Sequence, residues 1–308
     1  MPHPITGESQ KEFRKEFRDF LFSKVRLYRH SNIIFVCGGN DEHHLRPRFK
    51  NHLDGQHTEY TVLFPEHALE HHIGDEDFSF VDLHKMESLI GGICFCIVIF
   101  PEGPGSYAEL GMFSKMNDLA GKSLVVSNGE YQGSDSFLSN GPIKLIDETS
   151  SFKPAIQLDY ENPNFELIVG RIKDRQQGKF RRTYSFSEKA WSEYSDYEKL
   201  VFIVILLKYM RIASSKDIAF MIRSIGSEQV KKEELNSFIQ IILGCQIADV
   251  VDLGDGTNYF YLKLNWNEFY TIQEGSQEEE ALIIDDISTN IDGDNRYREL
   301  LEEATDAD

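Results

Sequence analysis

The sequence predicts an α/β protein: a Rossmann-like parallel sheet followed by a C-terminal domain with the element order of a winged helix. Three observations carry this prediction. The runs NIIFVC (32–37), YTVLFP (60–65) and ICFCIVIFP (93–101) are apolar without alternation, as strands buried on both faces must be. Segments of helical spacing separate them, the order that produces a parallel sheet with ligands outside the C-terminal strand ends. Beyond residue 190, three helical segments precede two alternating strands around Gly254-Asp255-Gly256, the order of a winged helix.

Taken in order, a basic and aromatic helix is expected over 11–28, then the first buried strand and its glycine turn, CGGND (37–41). A helix over 44–53 leads to the second strand, a helix over 81–90 to the third, and helical spacing over 107–119 to a fourth strand at 122–128. The stretch RIKDRQQGKFRR (171–182) carries six basic residues and one acidic, the composition of a linker or arm. The expected domains are therefore 1–160 for the sheet, 161–190 for a basic linker, 191–272 for the winged-helix-like part and 273–308 for an acidic tail.

Composition narrows the functional classes. A chain of 308 residues with 41% hydrophobic and 12% aromatic residues can bury a substantial core, and two domains are the expectation. There is no apolar run long enough to cross a bilayer, and the opening MPHPITGESQKEF lacks the apolar centre of a signal peptide, so a cytoplasmic protein without a membrane partner is expected. Four cysteines without paired spacing read as buried apolar side chains, three of them (Cys37, Cys94, Cys96) inside strand-like runs. The net charge of −19 is concentrated at the C-terminus, where thirteen acids and two arginines follow residue 273. Charge therefore says little against nucleic-acid binding by the rest.

The chemistry-bearing segment is FPEGPGSYAELG (100–111). Glycines after a buried strand let backbone N–H groups approach a ligand, and the following helix start offers orphan donors and the positive end of a dipole. Gly105 and Ser106 would receive phosphate or ribose there, and Glu109, expected in the first helical turn, could attack or stabilise an anomeric carbon. Ser106-x-x-Glu109 is equally the spacing of a capping box, which needs no chemistry. The Pro-Gly loop and the adjacent CGGND turn favour function, with Glu102 and Asp41 as candidates to orient ribose hydroxyls. His67-Ala-Leu-Glu70-His71 fits an inverted zinc-protease pattern, but no third ligand is indicated and no metal is expected.

The runs NIIFVCGGND, FPEGPGSYAELGMFS and SNGPIKLI (139–146) together resemble the nucleoside deoxyribosyltransferase-like effector proteins of bacterial retrons, over most of residues 30–150 and more loosely in domain order to about 270. The resemblance implies a nucleoside deoxyribosyltransferase-like fold with a C-terminal winged helix and cleavage of a glycosidic bond at ribose C1′, with Glu109 as the nucleophilic carboxylate. It further implies that Gly38 and Gly39 form the first-strand turn, that Glu87 is the helix acid before the third strand, and that Asn140, Gly141 and Pro142 form the downstream turn. Such effectors are anti-phage toxins restrained by a reverse transcriptase and its branched RNA–DNA product (msDNA), and NAD is the implied substrate; no cofactor is expected. Self-association into an oligomer or filament is compatible with this reading.

Base-exchange enzymes place an Asp near the start of the third strand, where this chain has Cys94-Phe95-Cys96, so hydrolysis is expected over base transfer. Nicotinamide leaves as a neutral base and needs no protonation, which suits a site with one strong carboxylate candidate. Two rivals stand beside this reading: a phosphoribohydrolase acting on nucleoside monophosphates, and a non-catalytic nucleotide sensor or nucleic-acid-binding regulator. For the last, Arg171, Lys173, Arg175, Lys179, Arg181 and Arg182 are the cations that could meet a phosphate backbone or a partner.

Overall fold

The computed structural model describes residues 2–64, 89–129, 136–176, 182–226, 228–252, 256–263 and 268–306. These divide into two compact units, one formed by the described residues of 30–64 and 84–181, the other by those of 1–29 and of 182 onward. Glu87, the His67–His71 motif, Lys179 and Arg181 lie outside the described residues.

The chain opens with a helix over Lys11–Lys24 and a strand, β1, over Val25–Tyr28. The helix is shorter than the 11–28 expected because Val25 turns to extended backbone and ends it. Phe13, Phe17, Phe20 and Leu21 form its buried face. Strand β1 joins no parallel sheet; it pairs antiparallel with β7 (Thr183–Ser185) and β11 (Tyr270–Ile272). The opening segment expected in the same domain as the sheet thus belongs to the other unit.

The central sheet is parallel and has five strands: β2 (Ile33–Cys37), β3 (Thr61–Leu63), β4 (Cys96–Ile99), β5 (Ser123–Asn128) and β6 (Ile156–Leu158), in the spatial order β3-β2-β4-β5-β6. Counted within the sheet this is the doubly wound order 2-1-3-4-5, which changes direction between its first and third strands, here β2 and β4. Every residue of β2, β3 and β4 is buried, the reason their sequences show apolar runs rather than alternation. Strand parity sorts the two faces. Ile34, Val36, Cys96, Val98 and Phe100 pack with Phe49 and Leu53 of the Leu45–Gln56 helix and with Ile168, Val169 and Ile172 of the Glu166–Gln176 helix. Ile33, Phe35 and Cys37 face the other way, where Phe35 meets Phe113 at 6.3 Å between ring centres. Phe113 closes the Pro104–Phe113 helix, so Cys37 and that helix lie on one face.

The Glu166–Gln176 helix replaces the first part of the expected basic linker. Its apolar residues at 168, 169 and 172 make a stripe that the cations of the run conceal in composition, and that stripe is buried.

In the other unit, the Asp196–Met210 helix is followed by β8 (Ile212–Ser214), helices over Ser215–Gly226 and Lys232–Gly244, then β9 (Ala248–Val251) and β10 (Tyr259–Leu262). The three strands pair antiparallel in the order β8-β10-β9. A buried carboxylate organises this unit: Asp217 accepts from the Ser214 amide (3.0 Å) and hydroxyl (2.6 Å), from the His3 amide (2.8 Å) and from the Tyr297 hydroxyl (3.2 Å). The residues expected as an acidic tail form two helices, Gln277–Asp292 and Asn295–Asp306, that bury Ile283, Ile287, Ile291, Tyr297 and Leu300. A four-residue apolar spacing hidden among many acids explains why composition alone suggested a solvated tail.

Replacing Phe49, fully buried between Phe100 and Phe165, with Ala should lower the unfolding free energy by about 3–5 kcal/mol. A loss well below that in urea unfolding would mean that the face is not packed as described.

Candidate functional site

The switch between β2 and β4 is where a doubly wound sheet opens a crevice, and most of the catalytic and substrate-binding candidates from sequence lie on the two loops there. Strand β2 ends at Cys37 and runs into Gly38-Gly39; β4 ends at Ile99 and runs through Phe100-Pro101-Glu102-Gly103 into the Pro104–Phe113 helix. The two ends are joined by the Phe100 amide donating to the Cys37 carbonyl at 2.9 Å.

Glu102 ties these turns together. Its carboxylate accepts from the amides of Gly39 (2.9 Å), Leu45 (2.9 Å) and Arg46 (3.4 Å). The Leu45–Gln56 helix has no side-chain cap of its own, so Glu102 supplies from another strand the acceptor that its first-turn donors require. Glu102 is thus anchored to backbone at both oxygens. A Cβ on Gly38 would stand 2.7 Å from Glu102 Oε1 and 2.8 Å from the Arg46 Cβ, and one on Gly39 would stand 2.5 Å from the His44 ring. The glycines in this turn serve the close approach of side chains. Gly103 and Gly105 are different: nothing lies within 4 Å of a Cβ at either.

Ser106 is also committed. At the third position of the helix that Gly103 caps, its buried hydroxyl accepts from the amides of Glu102 and Gly103 (3.1 Å each) and donates to the Gly103 carbonyl (3.0 Å). The helix starts at Pro104, three residues before the expected Tyr107, because proline is preformed for that position. Glu109 therefore sits in the second turn, not the first, and Ser106 reaches back to Gly103 rather than forward to Glu109.

Glu109 is half-buried and faces the end of β2, where the Cys37 thiol hydrogen-bonds its carboxylate. Burial, then Glu109, pushes the Cys37 thiol far above its usual range, while the Arg46 guanidinium works in the opposite direction. Arg46 is itself buried, hydrogen-bonds the Asn40 side chain and lies 5.0 Å from the centre of the Phe64 ring. A carboxylate, a neutral thiol and a guanidinium thus cluster at one strand end. Tyr160 completes the rim: its hydroxyl donates to the Val126 carbonyl at 2.7 Å, and burial, then Glu102 and Tyr107, push its pKa up.

Asp41 is exposed; its amide donates to His44 Nδ1 at 3.0 Å, which makes that nitrogen an acceptor. Asn140 is exposed within the Ser139–Ile143 turn, which packs on the Pro104–Phe113 helix. Of the basic run, Arg171 donates to the carbonyls of Phe152 (2.7 Å) and Pro154 (2.8 Å), Lys173 pairs with Glu59 at 3.2 Å, and Arg175 and Arg182 are exposed. Sequence reasoning missed Cys37, Arg46 and Tyr160 as site residues. The parity of β2 places Cys37 on the Glu109 face, a legible signal, whereas nothing local to Arg46 or Tyr160 marks them.

Comparisons with known proteins agree on a retron origin. A family model described as STM3845 retron effector protein matches residues 42–249. A protein of Escherichia coli, whose name proposes a ribosyltransferase and DNA-binding role in retron Ec86, is 28% identical over 133 residues. That stretch covers 42% of this chain and 43% of the relative.

All four cysteines are buried, and burial raises the thiol pKa of Cys94 to about 12 and that of Cys96 well above the ordinary value, as it does for Cys37. With the thiol form favoured at neutral pH, the folded protein should show no fast-reacting thiol with Ellman's reagent, and four after unfolding. A thiol that titrates within seconds in the folded protein would contradict the burial of Cys37 against Glu109.

Proposed function

This chain belongs to the STM3845 retron effector protein family, and from that premise we propose that it is an N-glycosidase toxin that cleaves NAD or a related nucleotide at ribose C1′, with Glu109 as nucleophile. The observation that carries the proposal is the position of Glu109: a carboxylate in the second helical turn, directed to the end of β2 at the point where the sheet order reverses. The E. coli relative's name, which describes a ribosyltransferase, supports the same reaction class.

The chemistry needs little from the protein beyond that carboxylate. Glu109 attacks C1′, the C1′–N bond breaks, and the bonding electron pair leaves with nicotinamide, which is thereby neutral and takes no proton. Water then attacks C1′ of the ribosyl ester, the Glu109 carboxylate departs, and a proton is released to solvent. The Cys37 thiol orients Glu109 through a weak hydrogen bond without competing as a nucleophile, since its raised pKa keeps it protonated. Open space beyond Gly103 and Gly105 and the amides at the helix start suit the substrate's phosphates. Glu102 and Ser106 act one step removed, by holding the two turns rather than by contacting ribose.

The other unit supports a nucleic-acid-facing role. Its order of helix, strand, two helices and a two-stranded ribbon, with the strands arranged β8-β10-β9, supports reading it as a winged helix, and the relative's name includes DNA binding. We place the restraining reverse transcriptase and its msDNA at this unit, with Arg182 as an exposed cation available to phosphate.

Purified wild type and Glu109→Gln should be incubated with NAD and with a panel of nucleoside monophosphates, and the released base quantified by chromatography. The expected result is nicotinamide release by wild type, lowered on the order of a thousandfold or more in the variant. Turnover of monophosphates instead would indicate a phosphoribohydrolase; tight NAD binding without product would indicate a sensor; equal release by both proteins would remove Glu109 from the chemistry.

A further inference from the structure

The sheet-bearing unit carries a second cluster of reactive side chains, away from Glu109. His52 lies in the last half of the Leu45–Gln56 helix, His57 just beyond its end, and Glu166 opens the Glu166–Gln176 helix. His52 Nε2 is 2.9 Å and His57 Nε2 2.7 Å from the same oxygen, Glu166 Oε1. One atom from each of the three residues falls within 4.8 Å of the others. The imidazole side chains are 16% and 12% exposed and the carboxylate 53%, so the nitrogens are shielded while one side stays open to solvent.

We infer that His52, His57 and Glu166 form a binding site for one divalent transition-metal ion, with zinc its best-matched occupant and water completing the coordination. Two imidazoles and one carboxylate suit zinc, which is four-coordinate and bonds nitrogen and oxygen at about 2.0–2.2 Å. Ligands on a tetrahedral zinc stand about 3.3 Å apart, so the pairs now at 2.7 and 2.9 Å need to part by only about half an ångström.

The surroundings supply the outer carboxylate that metal-bound imidazoles use. Glu59 Oε1 is 3.7 Å from His57 Nδ1, the nitrogen that faces away from Glu166. A proton on Nδ1 donated to Glu59 would fix Nε2 as the ligand. Lys173 opposes this arrangement: its ammonium is 3.1 Å from His57 Nδ1 and 3.2 Å from Glu59, and it repels an incoming cation. Metal binding would thus staple the distal part of the helix that Glu102 caps to the helix that follows β6, and Lys173 would tune its affinity.

The test is calorimetric titration of the metal-stripped full chain with zinc chloride, beside titration with cobalt, whose visible bands report tetrahedral nitrogen and oxygen ligation. Wild type should bind one equivalent more than His52→Ala/His57→Gln, and His67→Gln/His71→Gln should keep that equivalent. Glu166→Gln, at a half-exposed carboxylate, should weaken the site at least tenfold, Glu59→Gln should weaken it less, and Lys173→Met should tighten it severalfold. Identical zinc binding by wild type, His52→Ala/His57→Gln and Glu166→Gln, or loss of the equivalent in His67→Gln/His71→Gln alone, would overturn the inference.

Discussion

The carboxylate of Glu102 is the interaction on which the candidate site depends. An ion placed at the end of β4 is held by amides from the Gly39 turn and from the first turn of the Leu45–Gln56 helix. Charge-assisted bonds of this kind, accepted from a helix that lacks its own cap, are stronger than neutral ones. They hold two turns from neighbouring strands together at the one place where the sheet order diverges. The close approach of Gly38 and Gly39 to the side chains around them follows from that geometry.

With those turns fixed, the remaining groups fall into place by strand and helix periodicity. Cys37 shares a sheet face with Phe35, and Phe35 packs against Phe113 of the helix that carries Glu109. The carboxylate and the thiol therefore meet because residues two apart in a strand and four apart in a helix share a side. The result is a carboxylate beside a thiol held protonated, with a buried guanidinium nearby. The proposed attack on a cationic carbon needs a carboxylate held in place, and the Cys37 thiol is the group that would hold it.

Much of this was legible in the sequence. Uninterrupted apolar runs marked β2, β3 and β4 because a parallel sheet buries both faces, and the Pro-Gly segment marked the helix that bears Glu109. What was not legible was the work of individual polar groups. Glu102 and Ser106 read as ligand-facing in a loop rich in glycine, but their partners are backbone amides supplied partly by residues 56 to 63 positions distant. The basic run at 171–182 and the acids after 273 concealed amphipathic helices, since composition counts charges and takes no account of spacing. The pairing of β1 with β7 and β11 brings together segments from opposite ends of the chain, which no local pattern records.

The central claim is that Glu109 forms a covalent bond to ribose. A nicotinamide dinucleotide carrying fluorine at C2′ of the nicotinamide ribose destabilises the cationic character needed to break the ribosyl ester and should let that intermediate accumulate. Rapid quenching and peptide mass spectrometry should then find the ADP-fluororibosyl mass on the peptide containing Glu109. Nicotinamide release from this analogue with no adduct, or with the adduct on another residue, would contradict the account.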